Sequence, residues 1–497
     1  MVFKLAANDT IHKRLERDRK AANPKPGMLR TFRDYARGYQ KGTLTPAQQA
    51  ILRGVTGNVF CDNICKMVLA AASSRVQLAR FDVADNAVQE WLEEFWTLAQ
   101  LSRLANQVHW ATLRDGNHAL ALSWDNESQR VILTREKWWD GKSGTFIAYD
   151  ELDNPIYAVK EWQTTEKRLR RVVWFPDHIE RYIQEGNGWK PYNLDEENTA
   201  FTKWTDGSGQ SIGLPVVHFR NVYMAHDASN DDLDTTYGIS ELDGGMLGLQ
   251  DEINDVHRDI TAAARFTGYQ MLYATGVTPA TDGNGAEKSI KVEPGAVLQN
   301  SSKDAKYGVL QAGDLSQLER VLNIKLRAVS RLTSTPLHTI TGGDWPSGEA
   351  LLQADKPLIR KVLAMGYVFA PTWASVAHKA TMLANAFGGQ TLDTDAMIST
   401  IFQAPEDWDL MTLVKIGKMM APYVSEQEVL RQFGKTETQI KQILKEKADA
   451  AKERAALATP PGSAPGDGQQ PGGGADTGQA GKGAPGGNDG SNGNKEE

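Results

Sequence analysis

Residues Thr235-Thr236-Tyr237-Gly238-Ile239-Ser240-Glu241-Leu242 open a helical block that runs to about Asn385, and the order of elements in that block decides the fold. Behind the opening, apolar residues fall at Leu242, Met246, Leu249, Ile253, Val256, Ile260 and Ala263. Alternating steps of four and three residues place them all on one helix face, a continuous seam for packing against other helices. The spacing predicts a helix from Ser240 to Arg265, roughly 39 Å long at about 1.5 Å per residue. Its polar face is acidic, with Asp251, Asp255 and Asp259 at i, i+4 and i+8 beside Glu252. Like charges at that spacing weaken an isolated helix by a few tenths of a kcal/mol each. Such a face suits solvent, a basic neighbour or the lining of a channel.

A second amphipathic helix is expected from Asp314, as its cap, to Leu332, with Leu315, Leu318, Leu322, Leu326, Val329 and Leu332 on its apolar side. Its charges are mainly basic: Arg320, Lys325, Arg327 and Arg331 against Glu319. An acidic and a basic helix of one hairpin can pair within a subunit or between neighbours. The insert between them, Thr275 to Gly313, offers strands at Ser289–Val292 and Gly295–Leu298 and is too short for a core of its own. After the second helix comes Pro336-Leu337-His338-Thr339-Ile340-Thr341-Gly342-Gly343-Asp344-Trp345-Pro346, read as a loop whose tip, His338 to Thr341, is uncharged when His338 is neutral. Ser347 can cap the helix that follows. Pro357 and Pro371 are expected to kink or break it.

Upstream, from His118 to Asn221, the apolar period changes from 3.6 to 2. Runs such as Ile156-Tyr157-Ala158-Val159-Lys160-Glu161-Trp162 and Arg171-Val172-Val173-Trp174-Phe175 alternate with turn signals such as Asp153-Asn154-Pro155, the pattern of a β meander or small sandwich. Ten of the 13 Trp lie between Trp91 and Trp204 with no basic residues interleaved at regular spacing, which favours a Trp-rich core or subunit contact over base stacking. Residues 46–113 read as helices, with Thr45-Pro46 opening one and Val88 to Leu104 forming another. Residues 1–40, with Lys13, Arg14, Arg17, Arg19 and Lys20 clustered, read as a solvated basic helix or arm, the alternative being a contact with phosphate or an acidic partner. Residues 423–457 read as two short helices with a Gly434 stop. Beyond Leu457 the chain has no Val, Ile, Leu, Met or aromatic residue, and is expected to be disordered.

The net charge of −7 opposes tight nucleic-acid binding, which needs dense Lys and Arg, but suits a protein that DNA must pass without sticking. No apolar run approaches the roughly 18 residues of a membrane span. The first residues lack a signal-peptide core, so synthesis in the cytoplasm is expected. Cys61 and Cys65 share a helix face as buried apolar residues, since two thiolates do not complete a zinc site. Three site patterns fail on inspection. Gly141-Lys142-Ser143 lacks the phosphate-loop Gly, having Glu136 in its place. Asn230, Asp232, Asp234 and Glu241 match calcium-loop positions, but Thr235 stands where the turn needs Gly. The cluster Asp227, Asp231, Asp232 has no accompanying His or Lys pattern for a two-metal nuclease beyond His226. No cofactor, metal or catalytic residue is expected.

Three places in the chain resemble the portal, or head–tail connector, proteins of tailed bacteriophages. One is the meander, with Asn154-Pro155-Ile156-Tyr157-Ala158-Val159-Lys160, Phe175-Pro176-Asp177-His178-Ile179-Glu180-Arg181-Tyr182 and Gly213-Leu214-Pro215-Val216-Val217-His218-Phe219-Arg220-Asn221. The others are Tyr237-Gly238-Ile239-Ser240-Glu241-Leu242 with Leu249-Gln250-Asp251-Glu252-Ile253-Asn254, and Ser347-Gly348-Glu349-Ala350-Leu351. The likeness covers roughly residues 40–450. It implies an α+β portal-type fold: wing (41–239), stem helices (240–274 and 314–336), clip (275–313), tunnel loop (337–346), kinked helix and wing return (347–422), and crown (423–457). Outside that pattern lie the basic arm (1–40) and the Gly/Pro-rich tail (458–497).

The resemblance further implies a non-enzymatic ring, usually of twelve copies, at one vertex of the capsid in the virion. Double-stranded DNA passes through it, without sequence dependence, during packaging and ejection. The implied partners are the major capsid protein, terminase and a head-completion or adaptor protein. His338, Thr339, Ile340, Thr341, Gly342, Gly343, Asp344 and Trp345 are then expected at the tunnel. Asp251, Asp255, Asp259, Arg320, Lys325 and Arg327 are expected at the channel wall or at subunit seams. The alternatives are another head–tail adaptor or minor capsid ring protein and, from a different class, a metal-dependent nuclease.

Overall fold

The structure, a computed structural model, describes residues 8–23, 25–40, 62–186, 188–192, 200–222, 237–268, 272–276, 303–309, 315–342, 348–405, 415, 417–420, 422–432 and 437–457. The chain divides into two compact units, Met1–Val429 and Leu430–Glu497. The first unit mixes helices and antiparallel sheets.

Helices α1 (Asn8–Ala22) and α2 (Pro26–Arg37) correct the reading of residues 1–40 as a solvated arm. Leu15, Ala22, Leu29, Phe32, Tyr35 and Ala36 are buried. The basic residues between them are used inside the fold: Arg19 Nη1 lies 2.7 Å from Glu161 Oε2, and Arg33 is buried between Asp115 and Asp140. Composition alone suggested solvent because carboxylate partners more than 80 residues away leave no local mark. Pro26 starts α2, and Gly38, with φ 85°, ends it by donating its N–H to the last turn.

Next come α3 (Ile64–Ser73), β1 (Leu78–Asp82), α4 (Asn86–Leu98) and α5 (Leu101–Asp115). Asn63 and Asp85 cap α3 and α4 by accepting from the backbone N–H of Lys66 and Val88. The segment Val88 to Leu104 is therefore not one helix. Gln100, at φ 50°, turns the chain between α4 and α5. Thr45 to Gln49 and Cys61 lie outside the described residues, whereas Cys65 is fully buried.

The meander forms two sheets. Strands β2 (Asn117–Asp125), β3 (Arg130–Lys137) and β10 (Val216–Arg220) make one, in the order β10-β2-β3. The other runs β4 (Gly144–Tyr149), β5 (Pro155–Gln163), β6 (Leu169–Trp174), β7 (His178–Glu185) and β8 (Gly188–Pro191), with β9 (Phe201–Lys203) also on β7. Turn chemistry sets the registers: Asp150 Oδ1 accepts from the N–H groups of Leu152 and Asn154, ahead of Asp153 at φ 60°. Trp138, Trp139 and Trp204 are buried in this region, with Trp138 stacked on His218 at 4.4 Å.

Helix α6 (Met246–Gly268) begins six residues later than the spacing predicted, because Gly244 and Gly245 both adopt positive φ and interrupt the turn after Ser240. Strands β11 (Leu272–Thr275) and β12 (Lys306–Val309) pair at the base of the insert. The strand candidates Ser289–Val292 and Gly295–Leu298 fall outside the described residues, as do Asp314 and Ser347. Helices α7 (Ser316–Thr333), α8 (Leu337–Thr341) and α9 (Gly348–Gly388) follow, and β13 (Ser399–Phe402) returns to pair with β1.

The 41 residues of α9 form one unbroken helix through Pro357 and Pro371. Each proline deprives one carbonyl of its partner, that of Gln353 or Tyr367. All four residues sit on the exposed face, where water replaces the lost bond. The opposite face carries Phe369, Trp373 and Val376 into the core. Trp373 meets Phe219 of β10 at 4.9 Å, and Phe369 stacks on His109 of α5 at 4.9 Å.

Across the boundary of the units runs α10 (Glu426–Gln432). In the second unit α11 (Glu437–Leu457) is 21 residues long, not the short helix expected. Gly434 and residues 458–497 lie outside the described residues.

Candidate functional site

The candidate site is the pair α6–α7 with the segment α8 and the start of α9. Helices α6 and α7 pack through Ile253, Leu326 and Val329, all buried. They are joined by an ion pair, Lys325 Nζ to Glu252 Oε2 at 2.5 Å, so the basic and acidic helices pair within one subunit. The buried face of α6 is rotated from the apolar seam. Gln250, Asn254 and Arg258 are buried at i, i+4 and i+8, while Leu249, Val256 and Ile260 stay partly exposed.

The Gln250 amide serves a second helix. Its Oε1 accepts from Cys65 N at 3.0 Å, satisfying an orphan N–H in the first turn of α3, and its Nε2 donates to Asp62 O at 2.6 Å. Burial, with Asp251 nearby, pushes the Cys65 thiol up to about 12. That thiol stays protonated and packs as a small apolar group.

The three aspartates of α6 separate into different roles. Asp251 accepts from Tyr35 Oη at 2.7 and 2.8 Å and is tied to α2. Asp255 is exposed and pairs with Arg258 of the same helix. Asp259 is exposed. On α7, Arg320 and Arg327 are exposed, as are Val321, Ile324 and Leu332.

Residues 337–341 are not a loop tip. Ser334, at φ 55°, ends α7, and Pro336 leads directly into the turn of helix α8. Ile340 points inward at 7% exposure and belongs to the core, so it is unavailable to a channel. The physical reason is an i, i+3 pattern, Leu337 with Ile340, that the loop reading overlooked. His338 Nε2 lies 3.2 Å from Asp355 Oδ1, whose second oxygen lies 3.2 Å from Arg75 Nη2. The His338 side chain is thus engaged with α9 and the end of α3. Thr341 Oγ1 donates to Leu337 O at 3.0 Å, Thr339 is half-buried, and Gly342 closes the helix at φ 61°. Gly343, Asp344 and Trp345 lie outside the described residues.

Sequence reasoning missed the polar contacts that hold α6. Besides Gln250, Asn117 brackets Gly238 in the opening motif: its Nδ2 donates to Gly238 O at 2.8 Å and its Oδ1 accepts from Gly238 N at 2.7 Å. Glu241 forms a buried ion pair with Lys361 of α9. The four-residue recurrence of Gln250, Asn254 and Arg258 was a legible signal; the partners of Asn117 and Glu241 were not.

Two of the decoys can be placed. Asp140 Oδ1 accepts from the N–H groups of Lys142 and Ser143, both at 3.0 Å, so the Gly141-Lys142-Ser143 turn is closed on its own carboxylate. The calcium-like and nuclease-like aspartates lie outside the described residues. Among the described residues no His, Cys, Asp and Glu group has metal-ligand geometry, and no helix is long and apolar enough to cross a membrane.

Among solved structures, one described as the neck of a native GTA particle computed with C12 symmetry matches at 13% identity and a TM-score of 0.39, covering 78% of this chain and 94% of that chain. Another, the neck of an empty GTA particle computed with C6 symmetry, matches at 12% identity and 0.38, covering 77% and 92%. No curated protein matches the chain. The family model described as phage portal protein, SPP1 Gp6-like, matches residues 78–453, about three-quarters of the chain. The chain belongs to that family of phage portal proteins.

Proposed function

We propose that this chain is the subunit of a closed ring, of twelve copies, at one capsid vertex, through which double-stranded DNA is packaged and ejected. Family membership supports the portal role. The observation that supports ring assembly is the outer face of α7. Val321, Ile324 and Leu332 are exposed there between Arg320, Arg327 and Arg331, and α6 of the same chain presents exposed Asp255 and Asp259. Two unlike, complementary surfaces on one chain make a head-to-tail contact, which closes into a ring when the rotation allows.

In this reading α6 and α7 form the stem and residues 275–313 the clip. The meander, with α1 to α5, forms the wing, which reaches back to Asn8. The tunnel loop narrows to the stretch from Gly342 to Pro346. Residues 423–457 form the crown. Terminase, the major capsid protein and a head-completion protein are the docking partners, and the protein is a conduit without catalytic chemistry of its own. Negative-stain microscopy of the purified full-length chain tests the reading: the expected view is a ring with an axial hole. A folded monomer that persists, both purified and recovered from virions, overturns it. Cleavage of duplex DNA by the pure protein with Mg²⁺ would instead favour the nuclease alternative.

A further inference from the structure

A cleft of about 760 Å³ opens between α2, the end of α3, α5 and β3, away from α6 and α7. Its floor is held by ion pairs. Asp115 lies between Arg33, at 2.8 Å, and Arg114, at 2.6 Å. Asp140 lies between Arg33, at 2.6 Å, and Lys137, at 2.8 Å. Those cations are matched by carboxylates. Around the mouth, Arg30, Arg37 and Arg135 are exposed guanidiniums with no ion pair among the described residues, facing one carboxylate, Asp34. In a chain of net charge −7, this local positive excess stands out.

At the back of the cleft His118 is buried at 4% exposure, and among the described residues neither ring nitrogen has a hydrogen-bond partner. An imidazole so placed leaves a donor and an acceptor unsatisfied. Burial drives its pKa down to about 3, with Asp115 opposing and the Arg114, Arg135 and Arg33 guanidiniums adding to the fall. The ring is therefore neutral at physiological pH and keeps one N–H and one bare nitrogen.

We propose that this cleft binds a small phosphate-bearing ligand, gripped by Arg30, Arg37 and Arg135 at the mouth. Guanidinium forks bind phosphate oxygens in pairs. The volume exceeds that of a lone phosphate and falls in the range of small-ligand sites. Half-buried Trp110 and the amides of Asn106 and Gln107 line the rest, a stacking face with hydrogen-bonding edges suited to a nucleobase.

Isothermal titration of the full-length chain at low ionic strength with inorganic phosphate, ADP and deca-glutamate tests this. Saturable binding of phosphate or ADP is expected, at least about tenfold weaker in the double variant Arg37→Gln/Arg135→Gln, which alters only exposed side chains. Equal affinities for phosphate and ADP identify free phosphate as the ligand; tighter ADP identifies a nucleotide. Binding of deca-glutamate without phosphate or ADP would reassign the cleft to an acidic protein partner and overturn the proposal. So would no binding of any probe, or binding unchanged in the arginine variant.

Discussion

Lys361 and Glu241, 120 residues apart, form a buried ion pair that fastens α9 to the turn before α6. Both partners make further hydrogen bonds. Lys361 Nζ also donates to Thr333 O, at the end of α7, at 2.9 Å, and Asn221 Nδ2 donates to Glu241 Oε1 at 3.1 Å. The main chain joins in, with Glu241 N donating to Leu113 O at 2.9 Å. One lysine thus sets where three helices meet. Removing either partner leaves a buried charge uncompensated, which costs about 3–5 kcal/mol. Glu241→Gln or Lys361→Met should lower stability by that order in urea unfolding, and the double variant should recover part of the loss. Single variants within about 1 kcal/mol of the parent would deny the pair this role.

Stability should also fall in mild acid. His109 Nδ1 donates to Val76 O at 2.8 Å and its Nε2 accepts from Trp373 Nε1 at 2.8 Å, a pattern only the neutral ring can make. Burial, against the pull of the Val76 carbonyl, lowers its pKa to about 4. His218 is held the same way, between Tyr149 Oη and Asn117 Oδ1, and burial drives its pKa well below the usual value. Because these folded-state values lie below those of the unfolded chain, the unfolded chain binds more protons between about pH 6.5 and 4. Stability is therefore full above about pH 6.5 and declines as pH falls, by about 1.4 kcal/mol per unit for each such histidine. Urea midpoints at pH 7.5, 6 and 5 measure the slope, and His109→Gln should flatten it by one histidine's share.

The opening motif owes its glycine to a crossing of chains. Asn221 N donates to Gly116 O at 2.8 Å, and Gly238 passes over both, so close that a Cβ at 238 would collide with the Gly116 carbonyl and the Asn221 amide. Gly116, at φ 80°, has equally little room: a Cβ there would lie 2.6 Å from Gly238 O. Backbone cannot yield as a flexible side chain can. Gly238→Ala should cost more than about 2 kcal/mol, read as a lower melting temperature. A variant that melts with the parent would mean the crossing relaxes freely.

How much of this was legible follows from range. The alternation in residues 118–221 announced β2, β5, β6 and β10, because period-2 patterning is local. The four-three seam announced α6, but not its rotation, since Gln250 and Asn254 are polar and their burial depends on α3. Arg33 and Arg19 read as surface charges because Asp115, Asp140 and Glu161 are distant in sequence. Pro357 and Pro371 read as breaks because sequence does not reveal that both face outward. His118 read as one scattered histidine among nine, and only the surrounding helices make it the back of a cleft.

Two isoleucines on neighbouring helices separate folding from assembly. Ile340 of α8 is 7% exposed and packed in the core, whereas Ile324 of α7 is 59% exposed. An aspartate at the first buries a carboxylate with no cation supplied for it, so Ile340→Asp should destabilise the subunit by several kcal/mol. It should lower the yield of folded protein before any step that involves DNA. Ile324→Asp changes a side chain already in solvent and should leave the melting temperature within about 2 °C of the parent. If the outer face of α7 meets the next subunit, that aspartate is buried on assembly without a partner of opposite charge in the apolar stripe. Rings should then be lost while folded monomers remain, a result read by sizing and microscopy on one preparation. Intact rings with Ile324→Asp would move the subunit seam away from α7, and normal folding with Ile340→Asp would restore residues 337–341 to the loop.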